Sequence, residues 1–259
     1  MCDDRGADRA SDVGMARTAA SAAKSSPDVS RADPGDSRNR KVRFDIHAVI
    51  DNLREAVAPF ADAAMFELRD RGYGTAFQQL VACILSIRTL DEVSLPAAVR
   101  LFDVAPDAEA MSRMTVREID RLIGTVTFHE PKARQIREMA VRVTEEFGGD
   151  VPCDFEVMTS FRGVGPKCAS LALGVACDAL EIAVDVHVNR VTTRWGYVDA
   201  GSAEVVRRQL MEKLPRAYWI EINRLLVPFG KHVCTGNLPK CSICPVLRYC
   251  QQVGVRAHR

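Results

Sequence analysis

Residues 161–170 read FRGVGPKCAS, and this stretch decides the interpretation of the fold. One helix is predicted to end between Val157 and Phe161, the segment 163–165 turns the chain, and Pro166 stands where the first turn of a helix tolerates proline. The pattern predicts a helix-hairpin-helix. Gly163 and Gly165 let the backbone approach a phosphate closely, and free N–H groups at the start of the second helix favour that anion. An ordinary αα-turn fits the same pattern, so both interpretations stay open at this point.

Lys167 follows the turn and lies at the start of the second helix. Its ammonium meets the positive end of the helix dipole, which disfavours the charged form. An amine that is more often neutral is a usable nucleophile and can form a Schiff base with an electrophilic carbon. The alternative is a solvated lysine that only touches a phosphate.

Asp185 lies in the stretch EIAVDVHVNRVTTRWG, residues 181–196, where an apolar run ends and a new helical pattern begins. The residue is predicted to cap that helix. A carboxylate held rigidly at a helix start can also act as a base or stabilise positive charge that develops on a sugar. We interpret His187 and Asn189 as local hydrogen-bonding groups.

Four of the nine cysteines fall in one short window, HVCTGNLPKCSICPVLRYC, with the spacing C-x6-C-x2-C-x5-C. This clustering indicates a metal site rather than disulfides, and four thiolates suit either zinc or a 4Fe-4S cluster. The predicted ligands are Cys234, Cys241, Cys244 and Cys250. Basic residues surround the window, including Lys231 and Lys240, and they form either a solvated face or a phosphate-binding element.

The composition of the 259 residues is that of a globular protein, with 47% hydrophobic residues and a net charge of +1. No early segment has the apolar core of a signal peptide, and no apolar run is long enough to span a bilayer, so we expect an intracellular protein. Residues 1–42 contain few large apolar side chains and are predicted to form a disordered arm.

Helical periodicity dominates the rest of the chain. One apolar face recurs at i, i+3, i+4, i+7 and i+8 from Phe77 to Leu85, and a second runs from Ala133 to Phe147 before the glycine pair 148–149 stops the helix. No long segment alternates apolar and polar residues, so the fold is predicted to be all-α. Three further cysteines are predicted to be small core residues, namely Cys83, Cys153 and Cys177.

With these features in this order, residues 42–250 resemble the endonuclease III family of DNA glycosylases. The family motif x-G-V-G-x-K-x-A is matched by FRGVGPKCA, its V-D-x-H-x-x-R is matched by VDVHVNR, and the cysteine spacing agrees without a gap. The resemblance implies a helix-hairpin-helix DNA glycosylase fold, with a six-helix barrel domain at 69–179 and a discontinuous 4Fe-4S cluster domain at 43–68 and 180–259. The active site would lie in the cleft between the two domains.

The resemblance also implies a reaction. Lys167 would attack C1′ of the sugar and expel a damaged base, and Asp185 would assist. The Schiff base then permits β-elimination 3′ to the abasic site, which makes the enzyme a bifunctional glycosylase and AP lyase, acting on oxidised pyrimidines. The partner would be double-stranded DNA with damaged bases or abasic sites, bound by a cytoplasmic monomer that is nucleoid-associated if bacterial.

The DNA contacts are predicted by similarity of position. Phe128 is the candidate wedge for the gap left by an extruded nucleotide. Arg88 lies in SIRT, residues 86–89, where relatives have a gap-filling glutamine, and TFHE, residues 127–130, replaces the turn that relatives have there. The full set of predicted DNA contacts is Arg88, Phe128, His129, Gly163, Gly165, Lys231 and Lys240.

Two other functions fit parts of the pattern. A monofunctional mismatch glycosylase, acting on adenine, uracil or thymine, shares the cluster but differs at the lysine position. A non-catalytic Fe-S protein that binds DNA would keep the hairpin and the cluster as a scaffold, because fold alone does not prove catalysis. The retention of both Lys167 and Asp185 favours the enzyme, since binding a phosphate through backbone amides requires neither side chain.

Overall fold

The computed structural model describes residues 40–259, and within that range the chain is helical with no β-strand. This confirms the predicted all-α fold. The predicted disordered arm lies outside the described residues except for its last three positions. The helices are α1 (Ile46–Val57), α2 (Ala64–Asp70), α3 (Ala76–Ser86), α4 (Asp91–Val104), α5 (Ala108–Arg113), α6 (Val116–Ile123), α7 (His129–Phe147), α8 (Phe155–Ser160), α9 (Pro166–Ala176), α10 (Val186–Trp195), α11 (Ala203–Lys213) and α12 (Glu221–His232).

Both helices predicted from periodicity are present. Helix α3 buries the whole predicted face from Phe77 to Leu85, and it begins with a reciprocal capping box between Thr75 and Gln78. Helix α7 ends where the glycine pair predicts, because Gly148 adopts a left-handed conformation at φ 66° and donates its N–H to Val143. Local sequence chemistry therefore determines the bounds of these elements.

The buried side chains separate into two large clusters. The first is built from α2 to α9, and the second combines α1 with α10, α11, α12 and the cysteine window. Helix α1 packs against α12, so residues near the start of the described chain join those near its end. Met65 and Leu68 of α2 lie in the first cluster, whereas the predicted division places them in the cluster domain. The exact domain boundaries stay a prediction.

The hairpin consists of α8, the turn and α9, and α9 packs along α3. A disulfide joins Cys83 of α3 to Cys168 of α9, and a second joins Cys153 to Cys177. Cys83 is buried as predicted, but Cys153 is exposed and Cys177 is only half-buried. The prediction of small core cysteines was therefore wrong for Cys153, because residue type alone does not reveal a bonding partner 24 positions away.

None of the helices in residues 40–259 is long and apolar enough to cross a membrane.

Candidate active site

The hairpin turn places Lys167 at the protein surface. Gly165 precedes α9 as its N-cap residue, Pro166 is the first helical residue, and Lys167 follows with its side chain exposed. Gly163 adopts φ 89°, and a Cβ there would lie 2.9 Å from Oε1 of Gln135. At Gly165 a Cβ would meet nothing within 4 Å. The turn therefore needs glycine at 163 for its backbone conformation, and at 165 it leaves open space beside the start of α9.

Asp185 caps α10 as predicted. Its Oδ1 accepts hydrogen bonds from the backbone N–H groups of His187 at 2.9 Å and Val188 at 2.8 Å. Within the described chain no hydrogen bond reaches the other oxygen, Oδ2. One oxygen thus fixes the orientation of the carboxylate, and the second is free to act on a ligand.

Lys167 and Asp185 line the same cleft, which has a cavity volume of about 80 Å³. Its walls come from both hydrophobic clusters, because α2, the end of α3, the start of α4 and α9 meet α10 and α12 there. The two predicted catalytic residues, 18 positions apart in sequence, are thus brought to one cavity.

His187 is held as a neutral, positioned ring. Burial lowers its pKa, Asp185 opposes that effect, and the nearby cations Arg190, Lys231 and Lys167 add to it. The Arg190 guanidinium lies 3.1 Å from His187 Nδ1. Because a guanidinium can only donate, Nδ1 is the acceptor and the proton resides on Nε2. Like Asn189, which donates to Gly201 O at 3.0 Å, His187 is a local hydrogen-bonding group as interpreted from the sequence.

Arg88 and Phe128 come together at the edge of α3 and α7. Both residues adopt left-handed backbone conformations, at φ 55° and 58°, which is unusual for side chains other than glycine. The Arg88 guanidinium lies 5.3 Å from the centroid of the Phe128 ring, which is 55% exposed. A cation stacked on an exposed ring forms a semi-rigid projection. The two side chains predicted to enter the DNA are thus one structural unit.

A buried lysine holds the turn that carries Arg88. Lys132 of α7 is only 4% exposed, and its ammonium donates to Leu85 O at 2.9 Å, Ile87 O at 2.6 Å and Thr89 Oγ1 at 3.3 Å. Burial lowers its pKa from 10.5 to about 8. The ammonium therefore acts as a C-terminal cap for α3, where carbonyl groups lack helical partners and the dipole favours a cation.

Two of the other predicted DNA contacts, Lys231 and His129, are engaged within the protein. Lys231 forms an ion pair with Asp91 at 2.6 Å, which links α12 to the start of α4 beside the cleft. His129 Nδ1 lies 2.6 Å from Asp120 Oδ1. Lys240 is half-buried beside the cysteine window. A phosphate contact by Lys231 would compete with its ion pair, and all three contacts stay predictions.

The four cysteines of the window line one apolar cavity, together with Arg194 and Trp195. All four are unpaired thiols. Arg194 Nη1 lies 3.4 Å from Cys234 Sγ, and the Gln252 N–H donates to Cys250 Sγ at 3.3 Å. Burial raises the pKa of Cys244 to about 12, so this thiol would ionise only beside a cation.

In residues 40–259, no three side chains of histidine, cysteine, aspartate or glutamate lie close enough together to hold a single metal ion. The chemistry of the window nevertheless fits a cluster. Four soft sulfur donors line one apolar cavity, and N–H groups point at two of the sulfurs, as they do around iron-sulfur clusters.

Three cleft or turn residues were missed by the sequence interpretation, namely Lys132, Asp91 and Asn223. The sequence could have indicated a buried lysine at position 132, because Lys132 shares one face of α7 with Ile136 and Ala140 at helical spacing. Asn223 likewise interrupts the apolar face of α12. Asp91 carried no such signal, since an acidic residue in the first turn of a helix is ordinary.

Comparisons with known proteins agree with this geometry. Residues 81–216 match the HhH-GPD superfamily base excision DNA repair proteins. The chain is 34% identical over 171 residues to endonuclease III-like protein 1 of Gallus gallus, covering 65% of this chain and 61% of that relative. It is 31% identical over 175 residues to endonuclease III of Thermotoga maritima, covering 68% and 82% respectively. A solved endonuclease III in a non-covalent DNA complex superposes with a TM-score of 0.70 and 26% identity, over 80% of this chain and 94% of that one.

A hairpin that presents a lysine beside a helix-capping aspartate, within a matching helical fold, defines the class of helix-hairpin-helix base excision repair proteins. Within that class the chain belongs to the endonuclease III family. The prediction of family and fold is confirmed.

Proposed function

We propose that this chain is a bifunctional DNA glycosylase and AP lyase that removes oxidised pyrimidines from duplex DNA. The observation that carries the proposal is the presence of Lys167 and Asp185 in one cleft, each at the N-terminus of a helix. A structurally similar endonuclease III has been trapped as a covalent intermediate with DNA. A covalent intermediate is what a nucleophilic amine at the position of Lys167 would form.

The hairpin supplies a backbone site for a phosphate. The first N–H groups of α9 have no partner within the helix, and the open space at Gly165 lets a phosphate approach them. Such a contact positions the duplex without reading its sequence. Arg88 and Phe128 would then fill the gap in the stack once the nucleotide is extruded into the cleft.

The proposed chemistry uses the two catalytic residues in sequence. The lone pair of Lys167 Nζ forms a bond to C1′, and the electrons of the C1′–N bond leave with the base, which takes up a proton. The free oxygen of Asp185 stabilises the positive charge that develops on the sugar in this step. The amine then loses a proton, its lone pair forms the C1′=N double bond, and the C1′–O4′ bond breaks with its electrons going to O4′, which takes up a proton; the product is the Schiff base.

Strand cleavage follows from the Schiff base. A base removes a proton from C2′, the electrons form a C2′–C3′ double bond, and the 3′ phosphate leaves with the electrons of the C3′–O bond. Water then hydrolyses the Schiff base and releases Lys167. A monofunctional enzyme would instead activate water at C1′ and stop after base release.

We propose that the cysteine window holds a 4Fe-4S cluster through Cys234, Cys241, Cys244 and Cys250. Bound there, the cluster would supply rigidity to the loop that carries Lys240, and the residues of the cleft would carry out the reaction. The apolar cavity and the N–H groups directed at two of the sulfurs support this assignment.

The experiment is a single-turnover assay on duplexes that contain thymine glycol, an abasic site, or an A·G, U·G or T·G mismatch. We expect cleavage 3′ to the thymine glycol and to the abasic site, and no activity on the mismatches. Lys167→Ala should abolish both base release and cleavage, whereas Lys213→Ala, in α11, should leave both unchanged. Base release without cleavage would support the monofunctional alternative, and DNA binding without either would support the scaffold.

A further inference from the structure

Asn223 is a buried amide that faces the cleft and has no part in the proposed bond-breaking steps. The residue lies in the first turn of α12, is only 3% exposed, and lines the cleft with Lys167 and Asp185. Within residues 40–259 its side chain forms no hydrogen bond, and neither of its polar atoms is among the fully enclosed atoms that lack a partner, so both are open to the cleft. A side chain that is otherwise buried but presents both polar atoms to a cleft is available to bond a ligand that enters there.

Apart from Lys167 and Asp185, the other polar groups of the cleft are already engaged. Ser86 Oγ donates to Cys83 O at 2.8 Å, and Asp91 pairs with Lys231. The remaining wall is largely apolar, with Met65, Phe66 and Leu171 among its members. A flat ring that enters this cleft would therefore meet apolar side chains on its faces and the carboxamide of Asn223 at one edge.

We infer that Asn223 reads the hydrogen-bonding edge of the extruded base, an inference that rests on the proposed function. A carboxamide offers one acceptor oxygen and donors on its nitrogen, so it pairs in a bidentate manner with an adjacent N–H and carbonyl of an oxidised thymine or uracil ring. No described neighbour fixes which way the amide points. With the positions of its oxygen and nitrogen exchanged, the amide pairs equally well with the exocyclic amine and ring nitrogen of an oxidised cytosine.

This arrangement selects substrates by the hydrogen-bonding edge of the base rather than by the chemical change that damaged the base. Both types of pyrimidine lesion present one donor next to one acceptor, and both are accepted by the same residue. Selection of damaged over intact bases would then arise at extrusion, because a ring that has lost its planarity or its pairing leaves the stack more readily.

The test compares base-bearing and base-free substrates in cluster-loaded protein. Asn223→Leu keeps a similar volume and removes both hydrogen bonds, and Asn223→Ser serves as a smaller variant in case leucine disturbs folding. Loss of a bidentate contact should slow single-turnover base release from thymine glycol and from 5-hydroxycytosine roughly tenfold to a hundredfold. Cleavage of a duplex with a preformed abasic site, which has no base edge to read, should be unchanged.

Each outcome bears on a separate claim. Equal loss on the abasic duplex would show that Asn223 acts on Lys167 or on folding, and it would overturn the inference. Unchanged base release in both variants would also overturn it. Loss on only one of the two lesions would contradict the claim that the amide reads both edges. A wild-type protein that fails to cleave the abasic duplex would instead refute the proposed function.

Discussion

Replacing Lys132 by methionine should loosen the turn that carries Arg88. The substitution keeps an unbranched apolar stem of similar length and removes the ammonium that caps the end of α3. The carbonyl of Leu85 then loses its donor in a buried position, while Ile87 is exposed enough for water to replace the lost bond. The perturbation therefore acts on one buried acceptor and one left-handed turn.

The expected loss of stability at pH 7 is about 1–3 kcal/mol, the cost of leaving a buried acceptor without its partner. Part of the gross hydrogen-bond energy is offset, because burying the ammonium is unfavourable and lowers its pKa from 10.5 to about 8. For a domain of this size each kcal/mol shifts Tm by about 2–4 °C.

The same pKa gives a direction for the pH dependence. Between about pH 8 and the unfolded value of 10.5, the unfolded chain holds a proton on Lys132 that the folded chain has released. Stability from this group therefore rises with pH across that window and is lost as pH falls through the folded pKa. Because other groups titrate alike in both proteins, the advantage of wild type over Lys132→Met should grow from neutral pH towards pH 10.5.

Thermal unfolding of the two cluster-loaded proteins across this pH range measures the effect. Lys213→Met is the matched control, because Lys213 is exposed and donates to one backbone carbonyl, that of Tyr197. The control should melt close to wild type at every pH. Equal Tm values for Lys132→Met and wild type at pH 7 would refute the capping role. A stability difference that shrinks as pH rises would instead show that the folded protein raises the pKa of Lys132.

Three further predictions follow from the site. In a double-mutant cycle, Arg88→Ala and Phe128→Ala should couple by about 0.5–1 kcal/mol in the free energy of binding to a duplex with an abasic site. Additive effects would show that the two side chains act independently. Asp185→Asn should keep the helix cap and melt near wild type but lose base release, whereas Asp185→Ala should also lose about 1 kcal/mol of stability. Full activity in Asp185→Asn would show that the reaction does not need the negative charge of Asp185. Metal analysis of purified protein should find iron with acid-labile sulfide, and stoichiometric zinc in active protein would contradict the cluster.

Much of the fold could be predicted because its signals are local. The faces of α3 and α7 follow from helical periodicity, and the cap at Asp185 follows from the chemistry of one side chain and two backbone groups. The proposed catalytic pair could be named because each residue lies in a short motif at the start of a helix. Their shared cleft is a consequence of tertiary packing.

The remaining features depend on contacts between distant positions. Arg88 and Phe128 were each predicted as DNA contacts, but their stacking requires two left-handed turns 40 residues apart to meet. The bond between Cys83 and Cys168 spans 85 residues. The role proposed for Asn223 depends on the cleft that it faces, whose other walls come from α2, α3 and α9. Sequence spacing carries no information on such juxtapositions.

The central claim is that Lys167 forms a covalent Schiff base with the sugar, and borohydride trapping tests it most directly. Cluster-loaded protein is incubated with borohydride and a duplex that carries thymine glycol or an abasic site, with Lys167→Ala and Lys213→Ala alongside. We expect a stable protein–DNA adduct in wild type and Lys213→Ala, mapped to residue 167 by peptide mass analysis, and none in Lys167→Ala. The absence of an adduct in wild type on both substrates, or an adduct of equal yield in Lys167→Ala, would contradict the account.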